Sequence, residues 1–229
     1  MSLVPALFDV GAFEVSSSGP LPMVDTPLGQ FSLTLDLEPP LTSAETARLR
    51  ARDIDLFIWD GPTARVELRV AKPDLQLPDG MAVSDVRAAV WRIRSRRPLV
   101  KVELSCELEG VTRSPSFETG QGLDSMAWEA NGVRLSLGTP DAEALLHYAG
   151  DGAPYPKSWI AARENTDTIP QVDYGPRGLR VSLPPLTPDE LAQTHFVLAW
   201  APAGAGSEAT YWAVDQSPWV LLPHREPAV

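Results

Sequence analysis

Twenty-three prolines spread along 229 residues constrain this chain more than any other feature. Proline fixes φ and lacks an amide donor, so helix interiors reject it and sheets accept it only at strand ends, edges and bulges. Long helices are therefore excluded, and the chain must be assembled from many short elements joined by ordered loops. Apolar residues make up 44% and charged residues 21%, a balance that argues against disorder and supplies a core. A chain of this length buries roughly 70% of its unfolded surface, so it needs no metal or disulfide staple.

Between the prolines the apolar pattern has period two. Phe31, Leu33, Leu35 and Leu37 alternate with Ser32, Thr34, Asp36 and Glu38; Val100, Val102, Leu104, Cys106 and Leu108 alternate with Lys101, Glu103, Ser105 and Glu107. Successive strand side chains point to opposite faces, so each stretch predicts a strand with one dry and one wet face. Cys106 falls on the dry face as a small core residue. It is the only cysteine, which excludes an intrachain disulfide and a cysteine-based zinc site. Residues 84–97 match two templates. Val86, Ala89, Val90 and Ile93 form a helical stripe behind Ser84, whereas Trp91 and Ile93 alternate with Arg92 and Arg94. The clean strand that follows decides for a strand here, joined to it by a hairpin turn at Arg96-Arg97-Pro98. Further strands are expected over 54–59 and 65–70 around Asp60-Gly61, on both sides of Asn131-Gly132, and over 179–183, 195–200, 208–214 and 219–222.

One order of residues occurs twice. Pro39-Pro40-Leu41-Thr42 is followed by Glu45, Ala47 and a strand ending at Trp59; Pro184-Pro185-Leu186-Thr187 is followed by Glu190, Ala192 and a strand ending at Trp200. In each copy the prolines end a strand, and threonine with glutamate three residues later has the spacing of a helix capping box. The first copy thus predicts a two-turn helix to about Arg52, and the second a helix start at Thr187-Pro188-Asp189-Glu190. Another short helix follows Thr139-Pro140, with Leu145, Leu146 and Ala149 inward and Gly150 as its stop. This order of strand, bend, helical turn and strand is similar to the corner of immunoglobulin-like and fibronectin type III-like sandwiches. The corner tyrosine and paired cysteines of those folds are absent, so no functional residue carries over. The expected fold is mainly β: two related antiparallel sandwich-like units, residues 1–112 and 123–229, with short helical turns at strand bends and a long loop at 150–178.

The formal net charge is −11, which disfavours nucleic acid and anionic membrane as general partners. No apolar run reaches the roughly 18 residues of a membrane helix. The first residues carry Asp9 and Glu14 instead of the basic start of a secretory signal, so a soluble cytoplasmic protein is expected. Against the acidic background, residues 86–102 hold Arg87, Arg92, Arg94, Arg96, Arg97 and Lys101 without one acidic residue. A basic hairpin of this kind suits an acidic partner surface, including other copies of the same chain. Arg92, Arg94, Arg96, Arg97 and Lys101 are its expected contacts.

A second candidate surface is the loop at 150–178, since a compact domain rarely carries so long a connection without a binding role or packing of its own. Tyr148, Tyr155, Trp159 and Tyr174 lie there among Asp151, Asp167 and Asp173. Aromatic faces beside carboxylates suit a sugar or a peptide. Common catalytic frames are missing. There is no Gly-x-Ser-x-Gly, Gly120-Gln121-Gly122 lacks the third glycine of a dinucleotide fingerprint, and His147, His195 and His224 have no metal-binding spacing. Asp53 and Asp55 share a strand face before Asp60 and read as a solvated face with a turn aspartate, not as a calcium site. These features favour a non-catalytic binding or assembly protein with no cofactor or metal, contacting a protein partner or its own copies. The competing expectation is a carboxylate-dependent hydrolase acting on carbohydrate, in which His147 carries a proton beside Asp151, Asp167 or Asp173 in a concave pocket.

Overall fold

The computed structural model describes residues 14–16, 22–51, 53–110, 114–120, 122–156, 159, 169–204 and 207–222. The described residues form fourteen strands and three brief helices; the helices are short, as the prolines lead one to expect, whereas β3, β7 and β14 run to 10, 11 and 12 residues. The strands are β1 (Glu14–Ser16), β2 (Met23–Thr26), β3 (Gly29–Glu38), β4 (Glu45–Ala51), β5 (Ile54–Asp60), β6 (Ala64–Ala71) and β7 (Asp85–Ser95). They continue with β8 (Lys101–Leu108), β9 (Ser116–Gly120), β10 (Leu123–Ala130), β11 (Val133–Pro140), β12 (Gln171–Tyr174), β13 (Gly178–Leu183) and β14 (Leu191–Pro202). The helices are α1 (Ala142–Gly150), α2 (Ser207–Val214) and α3 (Pro218–Leu221).

The fold is mainly β and sandwich-like, as expected. A large antiparallel sheet has the order β1-β4-β5-β6-β7-β14-β11-β10-β9, and a small one the order β12-β13-β8-β3-β2. Residues 1–112 and 123–229 contribute strands to both sheets: β14 lies between β7 and β11, and β13 lies beside β8. The main core gathers Phe31 and Leu33 of β3, Leu104 and Cys106 of β8 and Val181 of β13 with Leu68, Trp91, Trp128 and Phe196 of the large sheet. Phe31 meets Trp128 edge-on with ring centroids 5.7 Å apart, and Trp59 stacks on Trp91 at 5.9 Å.

The large sheet buries its other face as well. Leu56, Ile58, Val86, Ala88, Val90, Val197 and Ala199 form a second cluster with Ala213, Val214 and Leu221 of the last two helices. At Gly138 of β11 an added Cβ would lie 2.8 Å from the Val214 side chain, so glycine lets α2 settle directly on the sheet. Both helices stand where the sequence pattern predicted strands at 208–214 and 219–222. Ala209, Thr210, Ala213 and Val214 are buried, at the i, i+1, i+4, i+5 spacing of one helix face.

Three further expectations are corrected. The predicted helix after Thr42 is strand β4, paired with β5 from Glu45↔Asp60 to Ala51↔Ile54. The second copy likewise turns at Asp189 and enters β14 at Leu191, although Glu190 Oε2 does accept from the Thr187 amide at 2.7 Å. Ser43 and Asp189 hold φ of 56° and 68°, left-handed values that a right-handed helix cannot continue through. Finally, β7 and β8 do not pair as a hairpin. β7 lies between β6 and β14 in the large sheet, β8 lies between β13 and β3 in the small one, and residues 96–100 cross between the sheets.

Candidate functional site

The basic residues gather at the corner where β7 ends. Arg92 is half-buried on the outer face of the large sheet, stands opposite Glu67 and donates from Nε to Gln193 Oε1 at 2.7 Å. Arg96 donates to Gly61 O at 2.7 Å and pairs with Asp60 at 2.6 Å. Asp60 also takes Arg65, at 3.0 Å, and Arg65 in turn holds the fully buried Glu67 at 2.8 Å. Lys101 lies on the small sheet, held by Asp36 at 2.6 Å and Glu103 at 3.7 Å. Arg94, opposite Arg65 in the register, and Arg97 are exposed, and no ion pair among the described residues involves either. The run seen in sequence therefore divides into cations held by acids or, at Arg92, by an amide oxygen, and two left at the surface.

The aromatic candidates also divide. Tyr155 and Trp159 are buried in the main core with ring centroids 5.9 Å apart and fasten the loop to the sandwich. Tyr148, near the end of α1, and Tyr174, on the edge strand β12, are half-buried. Tyr174 donates its hydroxyl to Asp124 of β10 at 2.5 Å, and the ring of Phe117 on edge strand β9, 61% exposed, packs edge-on against it at 5.2 Å. Burial raises the Asp124 pKa and nearby Asp141 adds to the rise, against the hydrogen bond from Tyr174. Asp215 is raised by burial and then by Asp141. Asp141 is fixed as the cap of α1, accepting from the Ala144 amide at 2.8 Å. Phe117, Asp124 and Asp215 were not singled out by sequence: Phe117 lies in a stretch of serine, proline and glycine, and Asp124 is joined to Tyr174 only by the meeting of two sheet edges.

Two residues of the competing hydrolase expectation, His147 and Asp151, are brought together. His147 Nε2 and Asp151 Oδ2 are 3.4 Å apart on the exposed end of α1. Asp173 is exposed on β12 opposite Arg180. Asp167 and His224 lie outside the described residues. A cleft of about 420 Å³ opens elsewhere, lined by Asp25, Arg50, Asp53, Asp55 and Arg87 over an apolar floor that includes Val24 and Ala71. Asp53 and Asp55, expected on an open solvated face, thus line a concavity. Burial pushes the Asp55 pKa up, but the hydrogen bonds from Arg48 and Arg50 outweigh it and the net shift is downward. Its carboxylate is an ion-pair anchor for both arginines, at 3.1 and 2.8 Å. Cys106 is fully buried and burial drives its thiol pKa up, in keeping with a core role. Among the described residues no group of three or more histidine, cysteine, aspartate or glutamate side chains is placed to hold a metal ion, and no helix is long and apolar enough to cross a membrane.

Fold and surface together define a two-sheet antiparallel sandwich with a basic corner and an aromatic edge. No family model matches the chain and no curated protein matches it. Among solved structures it is similar to one assigned as a kojibiose phosphorylase from human microbiome, with a TM-score of 0.41 and 7% identity, over 86% of this chain and 26% of that one. The chain therefore spans about a quarter of that protein's length.

Proposed function

We propose that the protein is a non-catalytic binding or assembly module that contacts acidic protein surface, above all that of its own acidic copies, through the corner at Arg94 and Arg97. Arg96 and Lys101 flank the contact, and Arg92 supports it from within the sheet. The observation that carries this reading is the contrast at the corner. Its neighbouring cations are held by Asp60, Asp36 and Gln193, whereas Arg94 and Arg97 stand exposed on a chain of net charge −11. Charges placed this way steer and select an oppositely charged surface more than they add raw affinity. Tyr148 and Tyr174, the latter with Phe117 packed against it, form a second contact edge, and Tyr155 and Trp159 hold that loop in place from below. Retention on a polyglutamate matrix at low salt should be lost when Arg94 and Arg97 are both changed to Glu, with urea unfolding unaltered. Unchanged retention contradicts the reading.

A carboxylate-dependent hydrolase is the second reading, favoured by the desolvated Asp124 carboxyl beside the Tyr174 hydroxyl. It predicts turnover of oligosaccharides that Asp124→Asn abolishes. No turnover by the unaltered protein across a panel of α- and β-linked disaccharides removes it.

A further inference from the structure

The outer face of the large sheet carries an apolar strip of Val86, Ala88, Val90, Val197 and Ala199, and a histidine sits beside it beneath the last two helices. His195 of β14 is 1% exposed and stands opposite Val90 of β7. Its Nε2 lies 3.0 Å from the backbone oxygen of Gln216, in the link between α2 and α3. A carbonyl only accepts, so Nε2 carries the hydrogen and the neutral ring keeps its lone pair on Nδ1. Nδ1 is buried and makes no hydrogen bond among the described residues.

The same segment is tied down at two further points. Arg69 Nη1 donates to Leu221 O at 2.8 Å, and Ser136 Oγ donates to Thr210 Oγ1 at 2.9 Å. Ala213, Val214 and Leu221 close the apolar cluster over Val90, Val197 and Ala199. The charged groups on the elements packed around the ring are Arg65, Glu67 and Arg69 of β6, Asp85, Arg87, Arg92 and Arg94 of β7, Arg134 of β11 and Glu208 of α2, with Asp215 next to Gln216 and Asp141 after β11. Glu67 is engaged by Arg65, and Asp141 by the start of α1.

We infer that His195 is an acid-responsive latch, whose protonation at Nδ1 loosens residues 207–222 from the sheet and uncovers the apolar strip beneath them. An imidazolium needs an acceptor at each nitrogen, and among the described residues the closed structure offers one only at Nε2. Water reaches Nδ1 when the link lifts. Burial depresses the ring's pKa from 6.5 to about 4, partly opposed by the Gln216 carbonyl. A folded pKa below the exposed value means that the closed state is fully favoured above pH 6.5 and loses ground as pH falls from 6.5 toward 4. Local opening is then about 30-fold more frequent at pH 5 than at pH 7.5.

Hydrogen exchange of the full chain at pH 7.5 and 5.0, corrected for intrinsic rates, tests this in the unaltered protein and in His195→Gln, with β8 and β13 as internal reference. The latch predicts that protection of 207–222 falls about 30-fold on acidification in the unaltered protein, and stays level in the variant, whose amide can still donate to Gln216. Equal protection at both pH values in the unaltered protein overturns the inference, as does the same loss in the variant. Should the variant fail to fold, NMR titration of the His195 ring in the unaltered protein decides. Protonation must rise together with exchange at 207–222, and a ring that stays neutral while the segment loosens overturns the latch.

Discussion

The two sheets use the same kind of strand in opposite ways. In the small sheet β8 buries Val102, Leu104, Cys106 and Leu108 and turns Lys101, Glu103 and Glu107 outward. Its outer face is laced with polar pairs: Thr34 and Ser105 share a 2.6 Å hydrogen bond, Arg180 approaches Glu103 at 3.4 Å, and Arg177 approaches Glu107 at 3.1 Å. In the large sheet β14 is buried from Ala192 to Ala201 on both faces. A strand buried on both faces loses its alternation and reads as a nearly continuous apolar run. It also needs a second cover, which α2 and α3 supply. The difference teaches where the alternation signal holds: it reports a wet face, and it fades as soon as other elements dry that face.

Substitutions on the two outer faces should separate the sheets most strongly. Leu56→Ala, on the covered outer face of the large sheet, is expected to cost about 2–5 kcal/mol in urea unfolding, because it leaves a cavity beneath a fixed cover. Equal losses at Leu56 and at an outward position of the small sheet would break the comparison. Gly138→Ala tests the cover itself. A Cβ crowding Val214 is expected to cost about 1–3 kcal/mol and to release α2 first, seen as faster exchange at 207–214 than elsewhere. Thr34→Ala, on the wet face, removes one hydrogen bond and should cost only about 0.5–1.5 kcal/mol. The smallest effect lies where the sheet edges meet. Because burial raises the Asp124 pKa above 3.8 in the folded chain, its contribution to stability falls as pH rises through that raised value. Asp124→Asn should flatten the decline, and an unchanged slope of melting temperature against pH above 3.8 would contradict the assignment.

The wet-faced strands β3 and β8 were readable residue by residue, because water on one side forces their period-two pattern. β7 was decided only by its neighbour, since Val86, Ala88 and Val90 are buried on the covered face while Ala89, Trp91 and Ile93 fill the main core. α2 was misread because Thr210, Tyr211, Trp212 and Val214 favour strands locally, and the helix is imposed by the sheet it covers. The caps at Thr42 and Thr187 promised helices that the left-handed Ser43 and Asp189 prevent, a backbone choice with no compositional mark at serine. At the surface, the arginine run was visible as a run. Its division was not, because Asp60, Asp36 and Gln193 reach Arg96, Lys101 and Arg92 from other strands. Phe117 and Asp124 likewise join Tyr174 only through the meeting of β9, β10 and β12, about which no local pattern speaks.

The proposal that the basic corner binds acidic copies of the chain is tested most directly by light scattering during size-exclusion chromatography at low and high salt. The account predicts a mass above 24.8 kDa at low salt that falls toward 24.8 kDa at high salt, and 24.8 kDa at both for the double change of Arg94 and Arg97 to Glu. A mass of 24.8 kDa for the unaltered protein at both salts, or an assembly that the double change leaves intact, would contradict it.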